Sequence, residues 1–378
     1  ASAGVAQPAY WFGALASTYG EGPTNLAVAS DGNLMIGGSS LVASPDTDIR
    51  HCLTKASEHL ILDWSVTLGS TGNSLYNADT KVDSSGNTIC LVQSSDGNYH
   101  LVKYDSSGAV TWQKTFAFTD AGSLFRIALD SSGNCYCVGY IYTGTTYYLA
   151  LIKVDTSGSV SWTRRIANSV TTYFATAYQI SIDSSNNIYI SGYVVTGSSG
   201  NMRNIVAKYN TSGTIQWQRY QTTADSSYQL QVVEALASGD IVSCVQVGAD
   251  IYIQTHAASD GAFVAGRKLT LTNNFGLHFC SDSSSNVYLF LNDGYEGVAT
   301  STYVMKFNSS LTLQWQRSIE LPSAMYGARA YDVALGSDSS IYTLSNTVDI
   351  WSPGPYSVFE DQINRLPLDG TITGTYGD

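Results

Sequence analysis

Seven tandem units of about 50 residues, each with four short apolar runs bounded by Asp, Ser, Asn and Gly, predict an all-β chain. The expected fold is a seven-bladed β-propeller of four-stranded antiparallel blades, closed by the N-terminal strand. Two markers set the register independently. The Trp of "VTWQK" recurs at Trp11, Trp64, Trp112, Trp162, Trp217 and Trp315, with one doubled gap before the last. The residue ending "DSSGN" recurs at Asn33, Asn87, Asn134, Asn187, Asp240, Asn286 and, in "SDSSIY", at Ser340. In the doubled gap "HAASDGAFVAGRKL" keeps the pattern, with His256 in the place of Lys103, Gly261 in that of Gly108 and Ala265 in that of the Trp. Composition agrees: 13% charged residues and 26 Tyr disfavour salt-bridged helices and suit strands, while 44% hydrophobic residues can fill one core across residues 1–378, read as a single domain.

The elements follow in order. The N-terminal strand, about residues 8–17 ("AYWFGALA"), sits in the register of an outermost strand. It is expected to complete the last blade, with Trp11 taking the seam position that Gly374 cannot fill. In the third unit the four strands are "SLFRIALD", "NCYCVGYIY", "YLALIKVD" and "GSVSWTRRI". Between strands one and two, and between three and four, stand turns such as "VDSSGN" and "YDSSGAV". There an Asp side chain can accept backbone N–H bonds two residues on, and Gly can take the positive φ that closes the turn. Asp83, Asp105, Asp130, Asp155 and Asp183 are therefore expected on one face of the disc. The Trp after the second turn can cover the seam between blades, burying about 150–250 Å². The repeat builds; it lacks the alternating oxygen ligands and distal Glu of a calcium loop.

The loops joining strands two and three emerge on the other face. "SSLVASPDTDIRH", "VTGSSGNMRN" and "NTVDIWSPGPYSVFEDQ" are the long ones, and the last offers Trp351, Tyr356 and Phe359 as a candidate binding cluster. Folding back over their own blade is the competing reading. Eight residues before each Asn marker lie Asn25, Asp79, Arg126, Gln179, Val232, His278 and Asp332, mostly polar; one place later the residues are mostly apolar. Strand alternation puts the first set in the central channel. Solvated lining is the plain reading. Asp79 and Asp332 beside His278 and Arg126 could instead bind a sugar or a metal, or hydrolyse a glycoside.

A net charge of −12 without a basic run argues against nucleic acid as partner. No stretch approaches the roughly 20 apolar residues of a membrane span, and "ASAGVAQPAYW" lacks signal-peptide features; Ala1 fits a cleaved leader and removal of an initiator Met equally. The six Cys have no CxxC spacing and the five His no ligand spacing, so neither metal nor cofactor is expected. No GxSxG, HExxH, P-loop or GxGxxG occurs.

"LIKVDTSGSVSWTRRI" followed by "YQISIDSSNNIYISGY" resembles the SBBP-type β-propeller repeat of bacterial surface proteins and of marine bacteriophage virion proteins. The resemblance covers nearly the whole chain, with departures at Leu60, Ala265 and Gly374. It implies a non-enzymatic structural or adhesive protein: a virion component in the tail, adhesion device or capsid surface. Such a component would be present in several copies and bind other virion proteins or a host-surface glycan or protein. A secreted or surface bacterial carbohydrate-binding module is the alternative, and a glycosidase the third class.

Overall fold

The computed structural model describes residues 5–6, 10–11, 22–41, 48–69, 72–117, 122–166, 172–196, 201–221, 231–247, 250–270, 274–293, 301–320, 326–337, 339–349 and 358–369. In the first six repeats four antiparallel strands follow one another outward from a hub, the seventh supplies three and takes its fourth from the N-terminus, and the seven sheets form the expected β-propeller. Blade three comprises Gly122–Leu129, Cys135–Tyr142, Tyr147–Val154 and Val160–Ile166. Innermost strands touch their neighbours around the ring, and the seventh, Tyr326–Leu335, touches the first, Pro23–Val28. Second strands such as Thr88–Ser94 and Cys135–Tyr142 read as continuous apolar runs because blades cover both of their faces. Outer strands such as Val160–Ile166 alternate, one face being open.

The turns are built as the Asp residues suggest. Asp83 Oδ1 accepts the Ser85 and Asn87 N–H groups at 3.0 and 2.9 Å. Asp105 Oδ1 accepts the Ser107 hydroxyl at 2.6 Å and the Ser107 and Ala109 N–H groups, which hold its carboxyl below the usual range. Contacts join the turns on one face: Lys103 Nζ reaches Asp83 at 3.1 Å, and Ser131 N–H donates to Asn186 of the next blade.

Trp64, Trp112, Trp162, Trp217 and Trp315 each pack on the turn of the following blade. A Cβ on Gly158 would lie 3.0 Å from the Trp112 ring, and one on Gly261 2.7 Å from Trp217. Gly is required there twice over, by this approach and by φ of +84° and +72°. Trp112 Nε1 donates to Thr156 O at 2.9 Å and Trp217 Nε1 to Ala258 O at 3.0 Å, so the ring also satisfies a turn carbonyl. A bulge just before each of these five, as between Val110 and Trp112, re-aims the strand toward that seam. Inside the blade the stack continues. Trp162 meets the edge of Tyr136, Lys153 lies over the Tyr136 ring, and the Tyr136 hydroxyl donates to Asp130.

The departures from the repeat are complementary. Where Trp is lost at Ala265, the turn Gly of blade six is Leu311, 3% exposed at φ +57°, and it fills the seam against Ala265. Leu60 does the same between blades seven and one, packing on Tyr342, Leu344 and Ile363. We expect Ala265→Trp and Leu311→Gly each to destabilise by about 2 kcal/mol, one by overfilling and one by a cavity. Together they should nearly cancel; denaturant unfolding of the four-protein cycle checks this, and simple additivity of the two losses would refute the pairing.

Two register details differ from expectation. Ala265 pairs with Thr255, not His256, because the turn here closes from Gly261 N–H to Ala257 O and is one residue longer. Tyr10–Trp11 does form the outermost strand of blade seven, antiparallel to Val358–Pro367. Trp11, however, pairs with Gln362, whereas the position equivalent to Lys103 is Arg365, which lies over Tyr342. Trp11 is thus out of the Trp register, and Leu60 occupies the seam instead. Val5–Ala6 adds a parallel fifth strand to Leu313–Glu320 of blade six. Deleting residues 1–17 should lower the melting temperature by several degrees in a thermal scan, through the lost ladder and the edge exposed; an unchanged transition would show that closure does not depend on this strand.

Candidate functional site

At the hub, titratable side chains from several blades meet. It is built on the innermost strands, most of which carry a bulge just before the predicted polar position: between Asn77 and Asp79, Leu124 and Arg126, Ala177 and Gln179, Ala330 and Asp332. The bulge frees backbone groups and turns the next side chain toward the neighbouring blade. The apolar set behaves as alternation requires, with Ile127 and Val233 at 0% and 1% exposure in the cores between blades.

Two aspartates make the same clasp. Asp79, fully buried, accepts Thr80 N–H at 2.9 Å and Lys81 Nζ at 3.1 Å on one oxygen, and Ile127 N–H of blade three at 2.8 Å on the other. Asp332 accepts Val333 N–H at 2.9 Å, and Leu26 N–H of blade one at 3.0 Å, with His278 Nδ1 3.8 Å from its first oxygen. Asp332 therefore joins the last blade to the first. Arg126 donates to the carbonyls of Ala78 and Phe125 at 3.1 and 2.9 Å, Ala78 being a bulge residue left without a ladder partner. Asn25 is buried and accepts from Asn77 Nδ2. Val232 is a buried apolar residue.

Alternation should also have directed attention two places further along the same strands, where Lys81, Ser181 and Glu234 stand. The Glu234 carboxylate of blade five accepts the hydroxyls of Ser181 in blade four at 3.2 Å and Ser281 in blade six at 3.3 Å. Ser181 Oγ in turn accepts Ala235 N–H at 3.0 Å. Burial pushes the Glu234 carboxyl up to about 7 against the pull of the two hydroxyls and of Lys81. Lys81 is held above its ordinary value; burial disfavours its charge, and Asp79 and Asp332 outweigh that. The hub is thus an ionic ring in which carboxylates join blades. Among the described residues, no three His, Cys, Asp or Glu side chains converge as metal ligands. On the turn face the hub opens at a depression of about 320 Å³, lined in part by Ser30, Asp83, Ser84 and Ser337.

The loop cluster is only partly placed. Trp351 and Tyr356 lie outside the described residues. Phe359 belongs to the strand Val358–Pro367, pairing with Val348, rather than to a loop. The β-prone "NTVD" and "VFEDQ" ends of the predicted loop belong to the strands Ser340–Asp349 and Val358–Pro367 and extend the ladder.

No protein-family model matches the chain, and no curated protein sequence matches it. Solved structures do. The Dos1 propeller is 10% identical with a TM-score of 0.57, over 98% of this chain and 97% of that one. Kuenenia stuttgartiensis hydrazine synthase is 12% identical with a TM-score of 0.55, over 85% and 92%. Kluyvelomyces marxianus Hsv2 is 9% identical with a TM-score of 0.51, over 92% and 98%. At such identities the likeness is one of fold, and the fold shared is the β-propeller.

Proposed function

We propose that this chain is a non-enzymatic propeller of a bacteriophage particle, a tail, adhesion or capsid-surface component that binds other virion proteins or a host-surface glycan or protein. The observation that carries the non-enzymatic reading is the engagement of the hub carboxylates. Asp79 and Asp332, which glycoside hydrolysis would need as a free acid and base, each hold the backbone of the next blade. A ring secured in this way offers its outer surfaces for binding. The choice of a virion over a cell surface rests on the likeness of the repeat to virion propellers. Particles purified through a density gradient and analysed by mass spectrometry should contain the chain in several copies alongside the capsid proteins. Its presence only in the soluble or envelope fraction of the cell would overturn the assignment.

Glu234 favours a second reading, a carbohydrate-binding or hydrolytic channel, because a carboxyl held near neutrality suits a general acid. Turnover of a fluorogenic glycoside by the intact chain, abolished in Glu234→Gln, would replace the first reading with this one.

A further inference from the structure

The outer strands of blades two to six, Val110–Phe116, Val160–Ile166, Ile215–Gln221, Phe263–Thr270 and Leu313–Glu320, hold seven basic residues and one acidic residue, Glu320. The whole chain carries only 18 Lys and Arg against 30 Asp and Glu, for a net charge of −12. The outer strands of blades two to six therefore form a net positive band on a negative molecule, Lys268 in it being paired with Asp250 at 2.7 Å. One basic residue recurs two places after the Trp position in five consecutive blades: Lys114, Arg164, Arg219, Arg267 and Arg317. Arg164 and Arg267 also act in the seams, donating to Gly213 O and Leu311 O of the next blade. Arg165 and Arg219 are exposed. Beside these charges, at the start of the same strands, stand exposed Val110, Val160, Ile215 and Phe263.

Each of these strands is also the edge of its sheet. Among the described residues only the edge of blade six is covered, by Val5–Ala6. That pairing shows the geometry admits one more strand. On the edges of blades two to five the outward backbone groups have no strand partner among the described residues. Like charge on the edges of blades two to five repels pairing of these edges with one another across two copies, so the complement sought is an acidic strand.

We infer that the outer edges of blades two to five dock an acidic, extended segment of a partner protein by strand addition. The partner's backbone would continue the ladder, its carboxylates would face Lys114 and Arg219 on the Trp side of the strands, and its alternate apolar side chains would meet Val110, Val160 and Ile215 on the other side, where Arg165 adds positive charge. This deepens the reading of the chain as a protein-binding element by naming the surface and the chemistry of the partner, and it stands or falls separately from the virion assignment.

The test uses the full chain and a short synthetic peptide alternating Glu and Val, followed by fluorescence anisotropy at low and high salt. Binding is expected, weakening as salt rises. It should fall at least about tenfold in the triple variant Lys114→Glu, Arg165→Glu, Arg219→Glu, whose melting temperature should match that of the parent. A Lys–Val peptide should not bind, nor should a Glu–Val peptide with alternate amides N-methylated, since it cannot donate to the edge. Equal binding of the N-methylated peptide would mean a charged patch without strand addition and would overturn the proposal. So would equal binding of the Lys–Val peptide, no binding at all, or self-association of the parent chain through these edges. Particle association is read in a different experiment, so failure here leaves that result intact.

Discussion

Trp217→Ala is expected to lower the unfolding free energy by about 3 kcal/mol, toward the low end of the range for deleting a large buried aromatic. The ring is 7% exposed and packs on Tyr189, Val233 and Ile241 across the seam between blades four and five. Its removal leaves a cavity there and strips Ala258 O of its ring N–H donor, although Lys208 Nζ still reaches that carbonyl at 2.9 Å. Gly261→Val should cost a comparable amount by the opposite route. It places a branched side chain at φ +72°, with its Cβ 2.7 Å from the same ring. The two losses should be less than additive when combined, because the ring that the new side chain strikes is gone. Chemical denaturation of the singles and the double checks this. A Trp217→Ala loss below about 1 kcal/mol would mean that the seams are not where the ring gets its stability.

Glu234→Gln should stabilise the ring at alkaline pH and leave it nearly unchanged in acid. The folded carboxyl sits at about 7, above its ordinary value of 4.5, because burial disfavours the anion more than the two serines and Lys81 favour it. A carboxyl raised on folding binds its proton more tightly in the folded state. Its contribution is therefore most favourable below pH 4.5, declines as pH rises from 4.5 to 7, and stays at its full cost above that. The cost amounts to about 2 kcal/mol once allowance is made for water reaching the channel. Gln keeps the shape and can bond either serine without carrying charge. Melting curves of parent and variant at pH 5 and pH 8 should nearly coincide at the first and separate by a few degrees at the second. A larger gap at pH 5 than at pH 8 would reverse the sign and refute the account.

Strand order, blade number and turn chemistry were legible because each is written locally. "YDSSGAVTW" contains its own Asp acceptor, its positive-φ Gly and its Trp within one hairpin. The hub was half legible. Period-two alternation located Asp79, Arg126 and Asp332, yet stopping at one position per strand missed Lys81 and Glu234, which share the same face. What stayed hidden is carried between blades. Leu60 and Ala265 read as unrelated departures because the residues that make sense of them, Tyr342, Leu344 and Ile363 of blade seven for the one and Leu311 of blade six for the other, lie in another repeat. The basic band is hidden in the sequence for the same reason: it is assembled from one or two residues per unit and forms no run in the chain. Trp11 was misplaced because the spacing that fixes register within a hairpin does not apply to a strand arriving from outside the repeat.

The bond from Leu26 N–H to Asp332 joins residues 306 positions apart, and it has a kinetic meaning. A linear array of repeats can fray from its terminal units, each loss exposing the next. In this molecule the first and last units are neighbours, so no unit is terminal once the clasp and the outermost strand of blade seven are in place. Opening then has to break two seams at once, which raises the barrier to unfolding more than it raises the equilibrium stability. The reverse also holds. During synthesis the first blade has no seventh to lean on until residue 332 has emerged, so the ring is completed late, and its early blades wait with an open flank.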